Sequence, residues 1–361
     1  MIACLAKVKR VKPLFEALEA LDARYRYIGG PIESKAALLR GAVCSPGSDL
    51  VKVRREARFS PVYLNDFARQ CWSLLDKASE PVEAVIYWGA VNPPVDLDRP
   101  HPPYFVITDG PFDPNDSTYP VEWKPERWAK TYFETQRRIF SEAAHVFTLS
   151  DWARNKVLNV HGLAAGKVTK CGWGPLNNIG GPRLEPNTGR TLFLSIGSEW
   201  KRKGMDVIAE AGSRLRKEHP CETIIVGSPV DLHLKPEPGV TLFPNPVPAN
   251  ICHSLMRDAC ALVIGSRFDA SPHVIYDSLQ YGTPVIATRT CGVPEAVKDG
   301  YNGFLIDECD PEQLLDAMRR FIAADQSDLR RSAYESSVAA GGWAAVAAHI
   351  HGAVSDYLDA M

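Results

Sequence analysis

The sequence predicts an α/β protein with two domains, each built on a parallel β-sheet. Its 361 residues are about twice what one hydrophobic core usually organises. Short apolar runs alternate with helix-patterned segments from end to end, as they do in βα units. A turn-rich stretch at residues 177–189 separates two α/β halves of nearly equal length.

We therefore expect two Rossmann-like domains, over residues 1–180 and 188–335, whose parallel sheets face each other across a cleft. Residues 336–361 have an apolar helical pattern, and we expect this segment to cross back onto the first domain. The apolar runs predict strands at residues 2–6, 26–28, 84–88, 104–108, 146–149, 168–171, 191–196, 223–226, 261–264 and 284–287.

Two stretches between these strands, residues 41–62 and 89–103, show no regular pattern, and insertions of that length are usually functional loops. The clearest helix start lies after the last of the predicted strands. There Asp310 can cap the helix, Pro311 suits its first position, and Gln313 stands three residues after the cap.

The charge balance gives no reason to expect a nucleic-acid partner. Lys and Arg number 41 and Asp and Glu number 43, for a net charge of -2. A local basic cluster is either a solvated face or a site for an acidic ligand; it consists of Lys52, Arg54, Arg55 and Arg58.

Cysteine and histidine spacing predicts no metal site. The nine cysteines include no C-x-x-C pair, and we expect them to be reduced core residues. The chain reaches a charge at Lys7 before an apolar signal segment can form, and no later stretch approaches the ~18 apolar residues of a membrane helix. We expect a cytoplasmic protein with at most peripheral membrane contact.

The loop after the strand at 191–196 has the features of an anion site. Gly197 leaves the strand, and Arg202 and Lys203 precede Gly204 at the start of a helical pattern. Cations placed there lie beside backbone N–H donors and the positive end of the helix dipole. A solvated basic turn is the alternative.

The loop after the strand at 261–264 carries two carboxylates. Pro272 suits the first helical turn, which places Asp269 in the loop and Asp277 about two turns into the helix. The N–H groups near His273 and Val274 would form a second anion site facing the first loop.

These loops belong to two longer patterns. The loop after the strand at 261–264 lies in SRFDASPHVIYDSLQYGTPVIATRTCGVPEAVKDGYNGFLID, and the loop after the strand at 191–196 lies in SIGSEWKRKGMDVIAEA. They resemble the donor-binding signature of family 4 glycosyltransferases of the GT-B fold. That signature has two glutamates with seven residues between them, a GTPVIA strand, a GG-x-PE turn, and a Lys before Gly on a separate loop. The resemblance is strong over residues 191–310, weaker over 144–174 and faint before that.

The resemblance implies an enzyme that moves a sugar from a nucleotide diphosphate sugar to an acceptor, with retained anomeric configuration. It implies that Lys203 and Arg202 contact the diphosphate, Asp277 the ribose and Asp269 the transferred sugar, with Lys203 stabilising the leaving group. Glu295 is equally consistent with a helix cap and a donor contact. The residues implied in donor binding are Gly197, Arg202, Lys203, Ser271, His273, Val274, Asp277 and Glu295.

The chain also departs from the family pattern. Asp269 and Asp277 stand where glutamates are expected. Ser198 stands where the family usually has an arginine, and Arg202 can supply the positive charge that is lost. The sequence MIACLAKVKRVK lacks the glycine-rich turn expected after the first strand. These changes favour, as an alternative, a catalytically silent module that binds nucleotide or glycan. A nucleotide-sugar epimerase is a third hypothesis.

In the first half, Asp109 is the best catalytic candidate, because it follows the strand at 104–108 near where family members often place a reacting His. An Asx turn is the alternative role. The acceptor is left open among a glycan, a lipid-linked saccharide and a small molecule. Four aromatic side chains would either stack on the acceptor or pack between the domains, namely Trp88, Tyr104, Trp123 and Trp128.

No cofactor is expected beyond the nucleotide-sugar co-substrate. The sequence Asp96-Leu97-Asp98 matches the metal-binding D-x-D motif of a different glycosyltransferase fold, but it lies in a Pro-bounded loop. The sequence identifies neither the base nor the sugar of the donor.

Overall fold

The computed structural model describes residues 1–6, 11–44, 50–89, 95–119, 124–175, 181–186, 189–228, 237–244 and 247–361, with only the backbone of residues 50, 51 and 55. The chain forms two compact units, Met1–Gly172 together with Trp343–Met361, and Trp173–Gly342. Trp123, the turn after the first strand and much of the predicted 177–189 linker lie outside the described residues.

Each unit holds a parallel sheet of six strands. The first sheet has the order β2-β1-β3-β4-β5-β6, with strands β1 (Ile2–Ala6), β2 (Tyr25–Gly29), β3 (Ala84–Trp88), β4 (Tyr104–Thr108), β5 (His145–Thr148) and β6 (Val168–Lys170). The second has the order β12-β11-β10-β7-β8-β9, with strands β7 (Thr191–Ile196), β8 (Cys221–Ser228), β9 (Val240–Pro244), β10 (Ala261–Ile264), β11 (Val285–Thr288) and β12 (Gly303–Ile306).

The helices alternate with these strands. In chain order they are α1 (Lys12–Leu21), α2 (Lys35–Val43), α3 (Leu50–Phe59), α4 (Pro61–Asp76), α5 (Ala129–Glu142), α6 (Asp151–Asn159), α7 (Met205–Arg216), α8 (Ala249–Asp258), α9 (His273–Gln280), α10 (Val293–Ala296), α11 (Pro311–Ala323), α12 (Gln326–Ala339) and α13 (Gly342–Asp359). A 3-10 turn covers Ala165–Lys167. No helix among the residues described is long and apolar enough to span a bilayer.

The prediction of an irregular stretch at residues 41–62 is wrong where the chain is described. Helix α3 occupies residues 50–59 of it, and Ser60 then caps α4 by accepting the N–H of Tyr63 at 3.3 Å. Helix α3 has the sequence LVKVRREARF, which is rich in charged residues. Its few apolar residues therefore give only a weak helical periodicity. The predicted cap of α11 is confirmed, since Asp310 accepts the N–H groups of Glu312 and Gln313.

Helices cover both faces of each sheet. In the second unit α7 and α11 pack on one face, while α8 and α9 pack on the other. In the first unit α4, α5 and α6 bury one face. Helix α13 lies in the same unit on the opposite face, where Tyr357 packs edge-on against Phe105 at 5.5 Å between ring centroids.

No disulfide links any two of the nine cysteines, all of which lie within the described residues; four are buried and five are half-buried. The expectation that they are core residues therefore holds for Cys4, Cys71, Cys221 and Cys260.

Candidate functional site

Both loops singled out in the sequence leave neighbouring strands of the second sheet. Strands β7 and β10 pair directly, with Phe193 beside Ala261. From this pair the chain proceeds in opposite directions, from β7 to β8 on one side and from β10 to β11 on the other. In open α/β sheets such a reversal opens a crevice at the carboxyl ends of the strands, where ligands bind. The sheet order therefore places both loops at the expected ligand site.

The two loops are in backbone contact. Gly204, before α7, has a left-handed φ of 65°, and a Cβ there would lie 1.9 Å from the carbonyl oxygen of Gly265. The N–H of Arg267 donates to the carbonyl of Arg202 at 2.8 Å. Only glycine satisfies both the φ angle and the close approach at 204, so the loops form one backbone unit.

A surface carboxylate joins the same loops. Asp206 accepts Lys201 Nζ at 2.8 Å and Arg267 Nη1 at 3.1 Å. Burial alone would raise the pKa of the Asp206 carboxyl, but the hydrogen bonds from Arg267 and Lys201 hold that pKa below its ordinary value. The role of Asp206 was not predicted, because an Asp in the first helical turn commonly interacts with the helix dipole alone.

Lys203 and Asp269, assigned to different parts of the donor by resemblance, form an ion pair with each other. Their side chains are 16% and 9% exposed, so water screens this pair only partly. Ser266 Oγ donates to the same Asp269 oxygen at 3.2 Å. A Cβ at Gly197 would lie 3.2 Å from Lys203 Cγ, so this glycine leaves room for the lysine stem.

Arg202 lies beside this pair and has its own partners. Its guanidinium binds the Glu199 carboxylate, donates from Nη1 to the carbonyl of Phe268 at 2.8 Å, and lies 3.9 Å from Asp269 Oδ1. The sequence predicted two cations, Arg202 and Lys203, at a helix start. It did not predict that each would form an ion pair with a carboxylate.

Helix α9 starts at His273, and Pro272 occupies the N-cap in an extended conformation. Asp277 is consequently the fifth residue of α9, just over one turn from its start, so the prediction of about two turns is wrong. The Asp277 side chain is buried. His273 and Val274 are the first two helical residues, whose N–H groups have no acceptor within an α-helix.

Trp173 supports the start of α9. Its ring packs edge-on against His273, with 4.0 Å between centroids, and stacks on Tyr276 at 5.9 Å. This role of Trp173 was not predicted, although the GWGP segment after β6 was the available signal.

Two other predicted donor residues lie near α9. Within the described chain, the buried hydroxyl oxygen of Ser271 makes no hydrogen bond. Glu295 belongs to the single-turn helix α10. Burial, and then the Glu295 charge, raise the pKa of the Tyr276 phenol on α9. Cys291 replaces the first glycine of the GG-x-PE pattern at a left-handed φ of 47°.

Asp109 lies in the first unit, directly after β4, and is half-buried. Burial and then the Asp109 charge raise the pKa of the Tyr119 phenol. The loop that follows is anchored at Phe112, whose N–H donates to Gln136 Oε1 at 2.7 Å and whose carbonyl accepts from His161 Nε2 at 3.1 Å.

His161 gives this loop a pH-dependent anchor. Its ring is buried between Phe133 and Phe140, and burial lowers its pKa from 6.5 to about 4. The unfolded chain therefore takes up a proton first as the pH falls, and the stability contribution is lost between about pH 6.5 and pH 4.

We expect the free energy of unfolding to fall by up to about 3 kcal/mol across that window, at about 1.4 kcal/mol for each pKa unit. His161→Gln keeps a donor for Phe112 but has no proton to gain. Urea unfolding at pH 7 and pH 4.5 measures the difference, and an equal pH dependence in both proteins would remove His161 as its source.

Three aromatic residues predicted to contact an acceptor or pack between domains, and the predicted basic cluster, have other roles in the fold. Trp88 packs on Trp343 within the first unit, and Tyr104 donates its hydroxyl to the Ile139 carbonyl at 2.8 Å, so both rings are core residues. Trp128 is the N-cap residue of α5. The basic cluster is partly neutralised by ion pairs of Lys52 with Glu126, and of Arg54 and Arg58 with Glu33.

The D-x-D segment is engaged in surface ion pairs. Asp96 pairs with Arg99 at 3.1 Å and Asp98 with Arg138 at 2.9 Å. Throughout the described ranges, no three His, Cys, Asp or Glu side chains converge as a metal site would require.

The second unit matches a known family. Residues 182–337 match the family model described as glycosyl transferases group 1. A curated relative, the D-inositol 3-phosphate glycosyltransferase of Acidothermus cellulolyticus, is 28% identical over 148 residues, which are 36% of this chain and 33% of the relative. The chain spans 33% to 43% of the length of three relatives with this description.

Solved structures share the fold across the whole chain. Sucrose-phosphate synthase from Thermosynechococcus elongatus has a TM-score of 0.71 at 15% identity and 100% coverage of both chains. Anabaena HepE, solved in complex with UDP, has a TM-score of 0.66 at 15% identity, covering 98% of this chain and 99% of its own. With two parallel six-stranded sheets and these neighbours, the fold is GT-B.

Proposed function

We propose that this protein transfers a sugar from a nucleoside diphosphate sugar to an acceptor, with retention; the match of residues 182–337 to the glycosyl transferases group 1 model supports this. The observation that carries the proposal is the joined pair of loops at the switch point of the second sheet. One loop supplies Arg202 and Lys203, and the other leads, four residues after Asp269, into the start of α9.

In this proposal the diphosphate binds near Lys203, Arg202 and the first N–H groups of α9. Negative charge grows on the diphosphate as the bond from the sugar C1 to the phosphate oxygen breaks, since the oxygen keeps both electrons. Fixed cations and N–H donors stabilise that charge without reorganising. We propose that these groups, rather than a bound metal, meet the charge of the leaving group.

Asp277 is proposed to accept hydrogen bonds from the ribose hydroxyls. Gly197, Ser271 and Glu295 are proposed to complete the donor site, and Asp269 to face the transferred sugar. UDP is the first nucleotide to test, because a structural neighbour was solved with it. The saccharide or small-molecule acceptor is assigned to the first unit. Nine free cysteines support a reducing, cytoplasmic setting.

Thermal-shift screening against UDP, GDP and ADP tests nucleotide binding directly. A nucleotide at ~100 times its dissociation constant adds about 2.7 kcal/mol to the free energy of unfolding. We expect one of the three to raise the melting temperature. No shift with any of them at millimolar concentration would contradict the proposed donor site.

Asp277→Asn is expected to weaken binding of that nucleotide by roughly 10- to 150-fold, because a charged acceptor contributes ~1.5 to 3 kcal/mol. Transfer at saturating donor should change less, since the ribose does not react. Asp316→Asn is the matched control, because its carboxylate is 67% exposed on α11. Calorimetric titration gives both affinities, and an unchanged affinity in Asp277→Asn would sink the assignment.

Asp109 is proposed to act on the reacting sugar or acceptor. We expect Asp109→Asn to retain nucleotide affinity and to lower single-turnover transfer by about tenfold or more, as loss of a proton-transfer group does. A wild-type transfer rate in this variant would assign Asp109 to a structural turn.

A further inference from the structure

Each of the two cations proposed to bind the diphosphate already has a carboxylate partner within the donor loops. Lys203 and Arg202 contribute two positive charges, and Asp269 and Glu199 contribute two negative charges within ion-pair distance. A diphosphate that approaches Lys203 therefore meets an ammonium group that already has a counter-ion.

The Asp269 carboxylate cannot leave this position easily. It is 9% exposed, it accepts the Ser266 hydroxyl at 3.2 Å, and Arg202 Nη1 lies 3.9 Å from its second oxygen. Turning it away from Lys203 would break these contacts in a largely dry place. These contacts oppose its movement away from Lys203.

We infer that Asp269 is a competing counter-ion for Lys203 that weakens binding of the nucleoside diphosphate product and so promotes its release. This inference rests on the proposed function. Lys203 is shared between carboxylate and phosphate, and the two anions repel each other at short range.

The effect is greater for product than for donor. Cleavage leaves the terminal phosphate oxygen with the electron pair of the broken bond, so the free nucleoside diphosphate carries one more negative charge than its sugar ester. The Asp269 carboxylate therefore repels the product more strongly than the donor. The ion pair of Lys203 with Asp269 then re-forms as the nucleotide departs.

Glu199 provides a matched control. It neutralises Arg202 as Asp269 neutralises Lys203, and removing its charge changes the net charge of the loops by the same amount. Its side chain is 40% exposed, however, so water screens it more strongly. A charge effect specific to Asp269 must exceed the effect at Glu199.

The test is calorimetric titration of UDP, GDP and ADP into the wild type, Asp269→Asn and Glu199→Gln, with thermal unfolding to verify that each variant is folded. For the nucleotide that binds, we expect about tenfold tighter binding in Asp269→Asn and less than threefold in Glu199→Gln. Asp269→Ser serves as the second variant if Asp269→Asn does not fold.

The outcomes separate the two levels of the proposal. If the wild type binds none of the three nucleotides, the proposed function fails. If it binds one but Asp269→Asn and Asp269→Ser bind it equally or more weakly, the counter-ion inference is overturned while the function stands. Equal tightening in Glu199→Gln and Asp269→Asn also overturns it, because net charge alone then explains the change.

Discussion

Lys203→Ala is expected to lower the rate of sugar transfer by about a hundredfold or more, with a smaller change in donor affinity. The ammonium faces charge that develops in the transition state, and removing one such preorganised donor costs ~10²- to 10³-fold in rate. Part of its attraction for bound nucleotide is already offset by Asp269. Single-turnover transfer and calorimetric donor binding measure the two effects separately.

Lys201→Ala is the matched control, since Lys201 lies in the same loop, is 74% exposed and pairs with Asp206 instead. We expect it to retain transfer close to the wild-type rate, because an exposed ion pair contributes little. If Lys203→Ala reduces affinity alone and leaves the rate at saturation unchanged, Lys203 only docks the donor.

Gly204→Ala is expected to destabilise the Trp173–Gly342 unit by about 3 kcal/mol or more. The added Cβ would lie 1.9 Å from a backbone oxygen that cannot move without separating the loops, and the φ of 65° is itself unfavourable for alanine. Urea unfolding followed by a probe of this unit gives the free energy of unfolding.

Gly265→Ala tests the same contact from the other side. Gly265 is not among the positive-φ glycines, and its added Cβ would lie 3.2 Å from the Gly204 carbonyl oxygen, a distance that small shifts accommodate. We expect a loss of about 1 kcal/mol or less. If both variants lose the same free energy of unfolding, the left-handed conformation and the close approach at position 204 do not explain the need for glycine there.

Much of the fold was predictable because buried parallel strands are short apolar runs between helical patterns. The strands at 2–6, 84–88, 104–108, 191–196 and 261–264 have the predicted bounds. Strands β9 and β12 were missed. They are the two edge strands of the second sheet, and β9 is largely half-buried, so its apolar signal is weak.

The site was predictable where its residues belong to local patterns, such as the lysine before Gly204 and the two carboxylates before and within α9. Its ion pairs were not. Lys203 and Asp269 are separated by 66 positions and meet only because β7 and β10 are adjacent in the sheet. The contact of Trp173 with His273 likewise depends on tertiary packing that no spacing rule expresses.

The most direct test of the central claim is release of free nucleoside diphosphate from UDP-, GDP- and ADP-sugars, compared between the wild type and Lys203→Ala. Even without an acceptor, a glycosyltransferase hydrolyses its donor slowly. We predict measurable release from one donor class by the wild type and about a hundredfold less by Lys203→Ala. Nucleotide binding without release from any donor would indicate a silent binding module, and interconversion of the sugar without release would indicate an epimerase; either result would contradict the claim that this protein transfers sugars.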